Sequence, residues 1–380
     1  MMKVGITGQA GFVGTHLYHL LGLEEGVERV PFEDAFFSDE AKLRAFVREC
    51  DAIVHLAAMN RDPDPQVIYQ TNLRLVRQLI DAMRAEGVTP HVLFSSSIQE
   101  DLDNPYGASK REGRELFAAW ARETGARFTA CVLPNVFGPF SRPNYNTFVA
   151  TFCHRLTHGE EPEVKVDHAV PLIYVGDVCK RMIEIMKEPG DGEERVRTIR
   201  FEPGAVRKVT EILAELVRFR DQYFQKGIIP ELPTAFDVQL FNTFFSFIDH
   251  ERFFPFPLEP HSDPRGTFVE TMKLDHIGGQ VSFSTTVPGI TRGNHYHTRK
   301  IERFAVIKGK ARIELRRIGT DKVLSFELDG AHPSFVDMPV WYSHNITNTG
   351  DEDLYTLFWI NEFYDPSDGD TFFEKVREER

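Results

Sequence analysis

The 380 residues carry 44 basic and 57 acidic side chains, a net charge of −13, and 42% of them are hydrophobic. That balance belongs to a soluble globular chain and excludes broad, charge-driven nucleic-acid binding, because phosphates would be repelled overall. No run of about 18 apolar residues occurs, the start MMKVGITGQAG lacks the make-up of a secretory leader, and Cys50, Cys131, Cys153 and Cys179 are too scattered for a zinc knuckle or a disulfide framework; the expectation is a cytoplasmic protein that engages neither nucleic acid nor membrane.

From Lys3 to Val136 short apolar runs, KVGITG (3–8), AIVHLAA (52–58), HVLFSSS (91–97) and FTACVLP (128–134), alternate with segments of helical period such as SDEAKLRAFVREC (38–50) and SKREGRELFAAWARETG (109–125). This alternation predicts an α/β domain, a Rossmann-like doubly wound parallel sheet, over residues 1–248. Residues 178–225 read as helical. An aromatic stretch then leads to prolines at 255, 257, 260 and 264, which forbid a long helix and mark a boundary near residue 250. Short alternating runs at 280–287, 304–309, 311–318, 322–330, 332–339 and 355–361 predict an all-β sandwich or barrel over 249–380. The phenylalanine-rich run 241–256 reads as an interdomain or dimer contact, the end EKVREER as a solvated tail, and His55 as a packed core histidine.

Gly8, Gly11 and Gly14 leave a predicted strand and open a predicted helix. Small residues there let the backbone approach a pyrophosphate, and the helix start supplies unpaired N–H groups; taken alone, the triplet reads equally well as a tight turn. Tyr106 and Lys110 form YxxxK at the head of a helix, one turn apart, after a strand closed by Ser97. A neighbouring ammonium favours the tyrosinate and is expected to bring Tyr106 toward neutrality as a proton donor or acceptor.

TGQAGFVG (7–14), DAIVHLAA (51–58), FSSS (94–97), YGASK (106–110), LPNVFGP (133–139) and IYVGDV (173–178) resemble the extended short-chain dehydrogenase/reductase family. The resemblance implies Ser97, Tyr106 and Lys110 as catalytic residues. It implies a nicotinamide cofactor held by Gly8, Gly11, Phe12, Gly14, Asp34, Leu56 and Ala57 together with Tyr106 and Lys110. Asn135, Arg142 and Asn144 are then candidates for a nucleotide-sugar, with loop stabilisation as the alternative for the last two. Asp34 lies 20 residues beyond Gly14, where an acid favours NAD; Arg29 is the base nearby.

In the second domain GNHYHTRKIERF and PVWYSHNITN contain His295, His297, Glu302 and His344. His-x-His on a strand puts two imidazoles on one face, and three imidazoles with a carboxylate suit zinc, iron, manganese or nickel. This pattern resembles the cupin family, which implies a double-stranded β barrel. SDPRGTFVE (262–270) and QVSFSTTVPGITRGNHYH (280–297) further resemble the sugar-epimerase cupins. That likeness makes His295 a candidate base as well as a ligand, and Arg265 and Arg292 candidates for nucleotide phosphates.

The domain order with NPYGASK, PNYNTFVATFCHRL and YSHNITN resembles the bifunctional capsular polysaccharide enzymes. The resemblance implies carbon-3 epimerisation of a UDP-2-acetamido-2,6-dideoxy-4-hexulose and reduction of its 4-ketone to UDP-N-acetyl-6-deoxy-L-talosamine, with NADPH, zinc and a homodimer. NADH stays open, since VPFED shows no base. The alternative is a reductase whose second domain is a structural or ligand-sensing metal domain.

Overall fold

The computed structural model describes residues 1–189, 194–263, 266–269, 271–274, 279–363 and 365–377. Packing divides the chain into Met1–Thr151 with Val166–Val209, and Phe152–Lys165 with Thr210–Arg380. This division and the compositional boundary at 248/249 do not coincide, because the helices after Thr210 bury their aromatic faces with the strands that follow them.

In the first unit β1 (Met2–Thr7), α1 (Phe12–Leu21), β2 (Val27–Val30), α2 (Glu40–Glu49), β3 (Ala52–His55), α3 (Pro65–Glu86), β4 (His91–Ser97), α4 (Pro105–Thr124) and β5 (Phe128–Leu133) alternate as expected. They are followed by β6 (Asn135–Phe137), α5 (Phe148–Thr157), β7 (Ala169–Tyr174), α6 (Val175–Lys187), β8 (Val196–Arg200) and β9 (Ala205–Lys208). The main sheet runs β2-β1-β3-β4-β5-β8 with every neighbouring pair parallel, a Rossmann-like arrangement. Strands β3 and β5 are buried along their whole length, as a parallel sheet covered on both faces requires. The order reverses between β1 and β3, so the crevice at their carboxyl ends is where such a sheet takes its ligand. A smaller sheet, β6-β7-β9, stands beside it.

The helical expectation for 178–225 is corrected in its middle. Strands β8 and β9 lie there, and β8, VRTIR, is an edge strand whose arginines keep it partly exposed. Arg197 and Arg200, three residues apart, fall on opposite faces and hide the strand from a hydrophobic-period reading.

The second unit takes the end of α5 from Phe152 and continues with α7 (Val209–Phe219), α8 (Ala235–Phe245) and α9 (His250–Phe253). Strands β10 (Phe256–Pro257), β11 (Pro260–Asp263), β12 (Gly266–Val269), β13 (Gln280–Thr286), β14 (Thr291–Tyr296) and β15 (Glu302–Lys308) come next. The remainder are β16 (Lys310–Arg317), β17 (Val323–Asp329), β18 (Ser334–Met338), β19 (Tyr342–Asn348), β20 (Leu354–Ile360) and β21 (Phe372–Phe373). Two five-stranded antiparallel sheets, β10-β18-β15-β20-β13 and β17-β16-β19-β14-β21, make this region all-β. They meet where Phe304 of β15 stacks edge-on against His344 of β19, ring centroids 6.2 Å apart.

The aromatic run 241–256, expected as an interdomain or dimer contact, is core of this unit and joins its helices to the strands that follow. Phe241 and Phe245 pack on Tyr223, Phe254 packs on Phe335, and all five are buried. Tyr223 donates to Asp337 (2.6 Å), which also receives two hydrogen bonds from buried Arg303. That network pins the helices to the outer face of the first sheet, and stranding either charge would cost about 3–5 kcal/mol. The tail is likewise corrected: Val376 is fully buried, its carbonyl accepts from Arg316 (2.8 Å), and Arg377 pairs with Glu314.

Candidate functional site

The first candidate centre grows out of the β1–α1 and β4–α4 connections. Gly8 has φ +73°, and a Cβ on it would sit 2.8 Å from the Ala57 nitrogen. A Cβ on Gly14 would lie 2.2 Å from the Gly8 carbonyl oxygen. The loop therefore closes on itself and on Leu56–Ala57 only as glycine, leaving a backbone cradle at the start of α1, whose Gly11 N-cap offers no side-chain cap. A phosphate-bearing cofactor fits that cradle.

Helix α4 begins at Asn104, whose Oδ1 accepts from Gly107 N (2.8 Å), with Pro105 in the first turn. Gly107 runs against the loop after β4, where a Cβ would be 1.9 Å from the Gln99 carbonyl. This close approach sets Tyr106 and Lys110 beside the end of β4. Lys110 is buried, donates to the Ser95 carbonyl (2.9 Å), and lies 5.1 Å from the Phe94 ring centroid and 5.6 Å from that of Tyr106. Ser97 Oγ accepts from Gln99 N (3.2 Å).

Burial governs the titration here. It lowers Lys110 to about 8, and it pushes Tyr106 up to about 12 with help from Tyr145. The expectation of a tyrosine brought toward neutrality is not met, because burial disfavours the tyrosinate and Tyr145 adds to the rise. A protonated Tyr106 is a donor, the form a ketone reduction needs.

His55 is buried, bonds to Thr7 Oγ1 (2.7 Å), and is lowered to about 3 by burial, a core histidine. Asp34 is exposed at the turn after β2, and that turn is tied to the glycine loop by Phe32 N donating to Gln9 Oε1 (3.3 Å). Arg142 stacks over Tyr145 at 5.1 Å, and Arg61 donates to the Asn144 carbonyl (2.9 Å). The 142–145 loop therefore lies by Tyr106, while exposed Asn135 bonds the Pro171 carbonyl (3.2 Å). Arg61 is a loop anchor with no motif to announce it.

The second centre is assembled from three strands. His295 of β14 pairs across the ladder with His344 of β19, Glu302 opens β15, and His297 follows β14. Their ligand atoms all lie within 4.8 Å of one another. His344 Nε2 is 3.1 Å from both His295 Nε2 and Glu302 Oε2, and His297 Nε2 is 3.3 Å from Glu302 Oε2. A register shift between Gly293 and His295 turns Arg292 onto the face that carries His295, since Arg292 opposes Ile346 and His295 opposes His344. Arg265 lies outside the described residues.

Three imidazole nitrogens and a carboxylate are a four-ligand set of the kind zinc takes. His297 Nδ1 contacts the Asp370 carbonyl (2.5 Å) and His344 Nδ1 the Tyr342 carbonyl (3.1 Å), which leaves each Nε2 for the centre. His297 Nε2 and Glu302 Oε2 are buried, within ion-pair distance of each other but with no partner in hydrogen-bonding geometry. These orphaned atoms fit a cation. Burial works to raise Glu302, yet His297 and His344 hold it well below the usual carboxylate range; burial and its two neighbours lower His295 to about 4, keeping the imidazole neutral.

Residues 4–198 match the NAD dependent epimerase/dehydratase family, and residues 261–372 match the polysaccharide biosynthesis C-terminal domain. The chain is 36% identical over 380 residues to UDP-2-acetamido-2,6-beta-L-arabino-hexul-4-ose reductase of Pseudomonas aeruginosa, covering 99% of this chain and 100% of the relative. It is 34% identical to the capsular polysaccharide assembling protein CapF of Staphylococcus aureus in its crystal structure, with TM-score 0.61 over 99% of this chain and 100% of that one. The structure of RMD from Pseudomonas aeruginosa complexed with NADPH shares the fold over 58% of this chain and 84% of its own, at 21% identity and TM-score 0.51.

Proposed function

The chain belongs to the NAD dependent epimerase/dehydratase family, and from that premise we propose that it is a bifunctional nucleotide-sugar enzyme. Its cupin-type second domain inverts carbon 3 of a UDP-2-acetamido-2,6-dideoxy-4-hexulose. Its first domain reduces the 4-ketone to UDP-N-acetyl-6-deoxy-L-talosamine, on a route to N-acetyl-L-fucosamine of surface polysaccharide. The observation that carries this reading is that one chain holds both Tyr106 and Lys110 side by side at the β4–α4 connection that Ser97 opens and a clustered His295, His297, Glu302 and His344. The relative matched along its whole length is named UDP-2-acetamido-2,6-beta-L-arabino-hexul-4-ose reductase.

The ketone at carbon 4 acidifies the proton on carbon 3. A base at the cage takes that proton, the C–H electron pair moves into the enolate, and a proton returns on the other face. Zinc, held by His295, His297, Glu302 and His344, supplies positive charge for the enolate oxygen when bound. His295 is the most exposed of the four side chains, which favours it as the base in a second reading. Arg292 and Arg265 take the nucleotide phosphates.

In the reductase centre NADPH or NADH, when bound at Gly8, Gly11, Phe12, Gly14, Asp34, Leu56 and Ala57, supplies hydride to carbon 4. Tyr106 gives its hydroxyl proton to the former ketone oxygen, Ser97 holds that oxygen, and Lys110 stabilises the resulting tyrosinate. Asn135, Arg142 and Asn144 border the sugar-nucleotide. Reduction removes the activating ketone and locks the new configuration. The reading includes a cytoplasmic homodimer, and no helix among the described residues is long and apolar enough to cross a membrane.

Proton NMR of the purified protein with the 4-keto UDP-sugar in heavy water tests both halves. The expected result is loss of the carbon-3 proton signal without cofactor, then a reduced sugar after NADPH or NADH is added. Cofactor oxidation with no exchange would leave a reductase whose second domain is structural or ligand-sensing.

A further inference from the structure

The loop between His297 and Glu302 is not held by its own strands. Asp370, 73 residues beyond His297, is 7% exposed, and its carboxylate collects the loop's backbone donors. Oδ1 accepts from Thr298 N (3.1 Å) and Thr298 Oγ1 (2.6 Å), and Oδ2 from Arg299 N (3.0 Å) and Lys300 N (3.0 Å). Three consecutive N–H groups converge on one anion, the geometry of a backbone nest. The same residue's carbonyl takes the Nδ1 contact of His297 at 2.5 Å.

Neighbouring contacts extend this clamp. Buried Lys300 donates to the Gly369 carbonyl (2.9 Å) and pairs with Glu362 (3.2 Å), and Ile301 N donates to Asn361 Oδ1 (3.1 Å). Asp370 holds φ +38°, an uncommon backbone state for a non-glycine residue, which its surroundings must enforce.

We infer that Asp370 is a positioning residue for the metal cage: its carbonyl fixes the His297 tautomer with Nε2 as the ligating atom, while its carboxylate sets the loop that separates His297 from Glu302. The metal site is thereby completed by a segment near the chain's end. This rests on the metal reading given above. A hydrogen-bonded carbonyl on the far nitrogen also raises the basicity of the ligating one.

The test is zinc competition against a chromophoric chelator, on the full-length wild type and on Asp370→Ala and Thr298→Ala, with the zinc-induced rise in Tm measured alongside. Asp370→Ala, which keeps the carbonyl but releases the loop contacts that hold it against His297, is expected to weaken zinc binding roughly 10–100-fold and to shrink the zinc-induced rise in Tm. Thr298→Ala, which removes one of the carboxylate's donors, should weaken binding by less. Wild-type zinc affinity in Asp370→Ala, with only the metal-free Tm lowered, would overturn the positioning role and leave a structural one. Failure of the wild type itself to take up zinc would overturn the metal reading, and this inference with it.

Discussion

Tyr106 and Lys110 stand four residues apart on one helix, whereas His295, Glu302 and His344 come from three strands and converge only when two sheets close on each other. The first centre is local and gains its chemistry from desolvation, with Lys110 buried beside a carbonyl and two aromatic rings. The second is non-local, and its burial is offset by mutual charge, since the histidines hold Glu302 ionised. Two ways of making a reactive group follow. One isolates a charge at a cost to stability, and the other surrounds a carboxylate with imidazoles that offset its burial.

If the centres are chemically separate, Tyr106→Phe breaks only one of them. Reduction should fall by about 10²–10⁴ through loss of the proton donor, while deuterium still enters carbon 3. NMR with single-turnover cofactor oxidation reads both, and equal loss of exchange would contradict the division of labour.

The reciprocal break is metal removal. Dialysis against a chelator should slow carbon-3 exchange roughly a hundredfold or more, with recovery on adding zinc, while a substrate already epimerised is still reduced. Exchange that persists without metal would favour His295 as a metal-independent base.

Lys110 sharpens the contrast through stability. Its folded pKa of about 8 lies below the ordinary 10.5, so between those values the unfolded chain binds more protons than the folded one. Stability from this group therefore rises with pH from about 8 to 10.5, and below about 8 the folded chain carries the whole cost, about 3 kcal/mol. Lys110→Met should be inactive in reduction yet more stable at pH 7 by about 1–3 kcal/mol, an advantage that shrinks by pH 10. Urea unfolding at the two pH values measures it, and a pH-independent difference would assign the gain to packing instead.

The same contrast explains what was legible in the sequence. Strand–helix alternation, the glycine triplet and YxxxK are each set by neighbours within a few residues, so local pattern reaches them. The histidine pattern was visible because three strands each present a ligand type. Asp370 was not, since nothing in SDGD points across 73 residues to His297. Strand β8 was hidden by arginines, and the protonation of Tyr106 by burial, which only the tertiary structure supplies.

The smallest effect concerns the adenosine end of the first centre, where charge is solvent-screened rather than buried. The turn after β2 carries exposed Glu33 and Asp34 and is tied to the glycine loop through Gln9. Arg29 is turned away, stacked 4.2 Å over Tyr18 and donating to its carbonyl (3.1 Å), and Lys42 pairs with Asp39 at 3.9 Å. A 2′-phosphate would thus meet carboxylates where an NADP site places arginine, whereas a free 2′-hydroxyl finds an acceptor. Asp34→Arg should raise the ratio of NADPH to NADH efficiency about tenfold, or about 1.4 kcal/mol, read as kcat/KM and as Kd from cofactor fluorescence. An unchanged ratio would mean that the ribose lies away from Asp34, and that exposed charge at this turn, unlike buried Lys110, has no part in the centre.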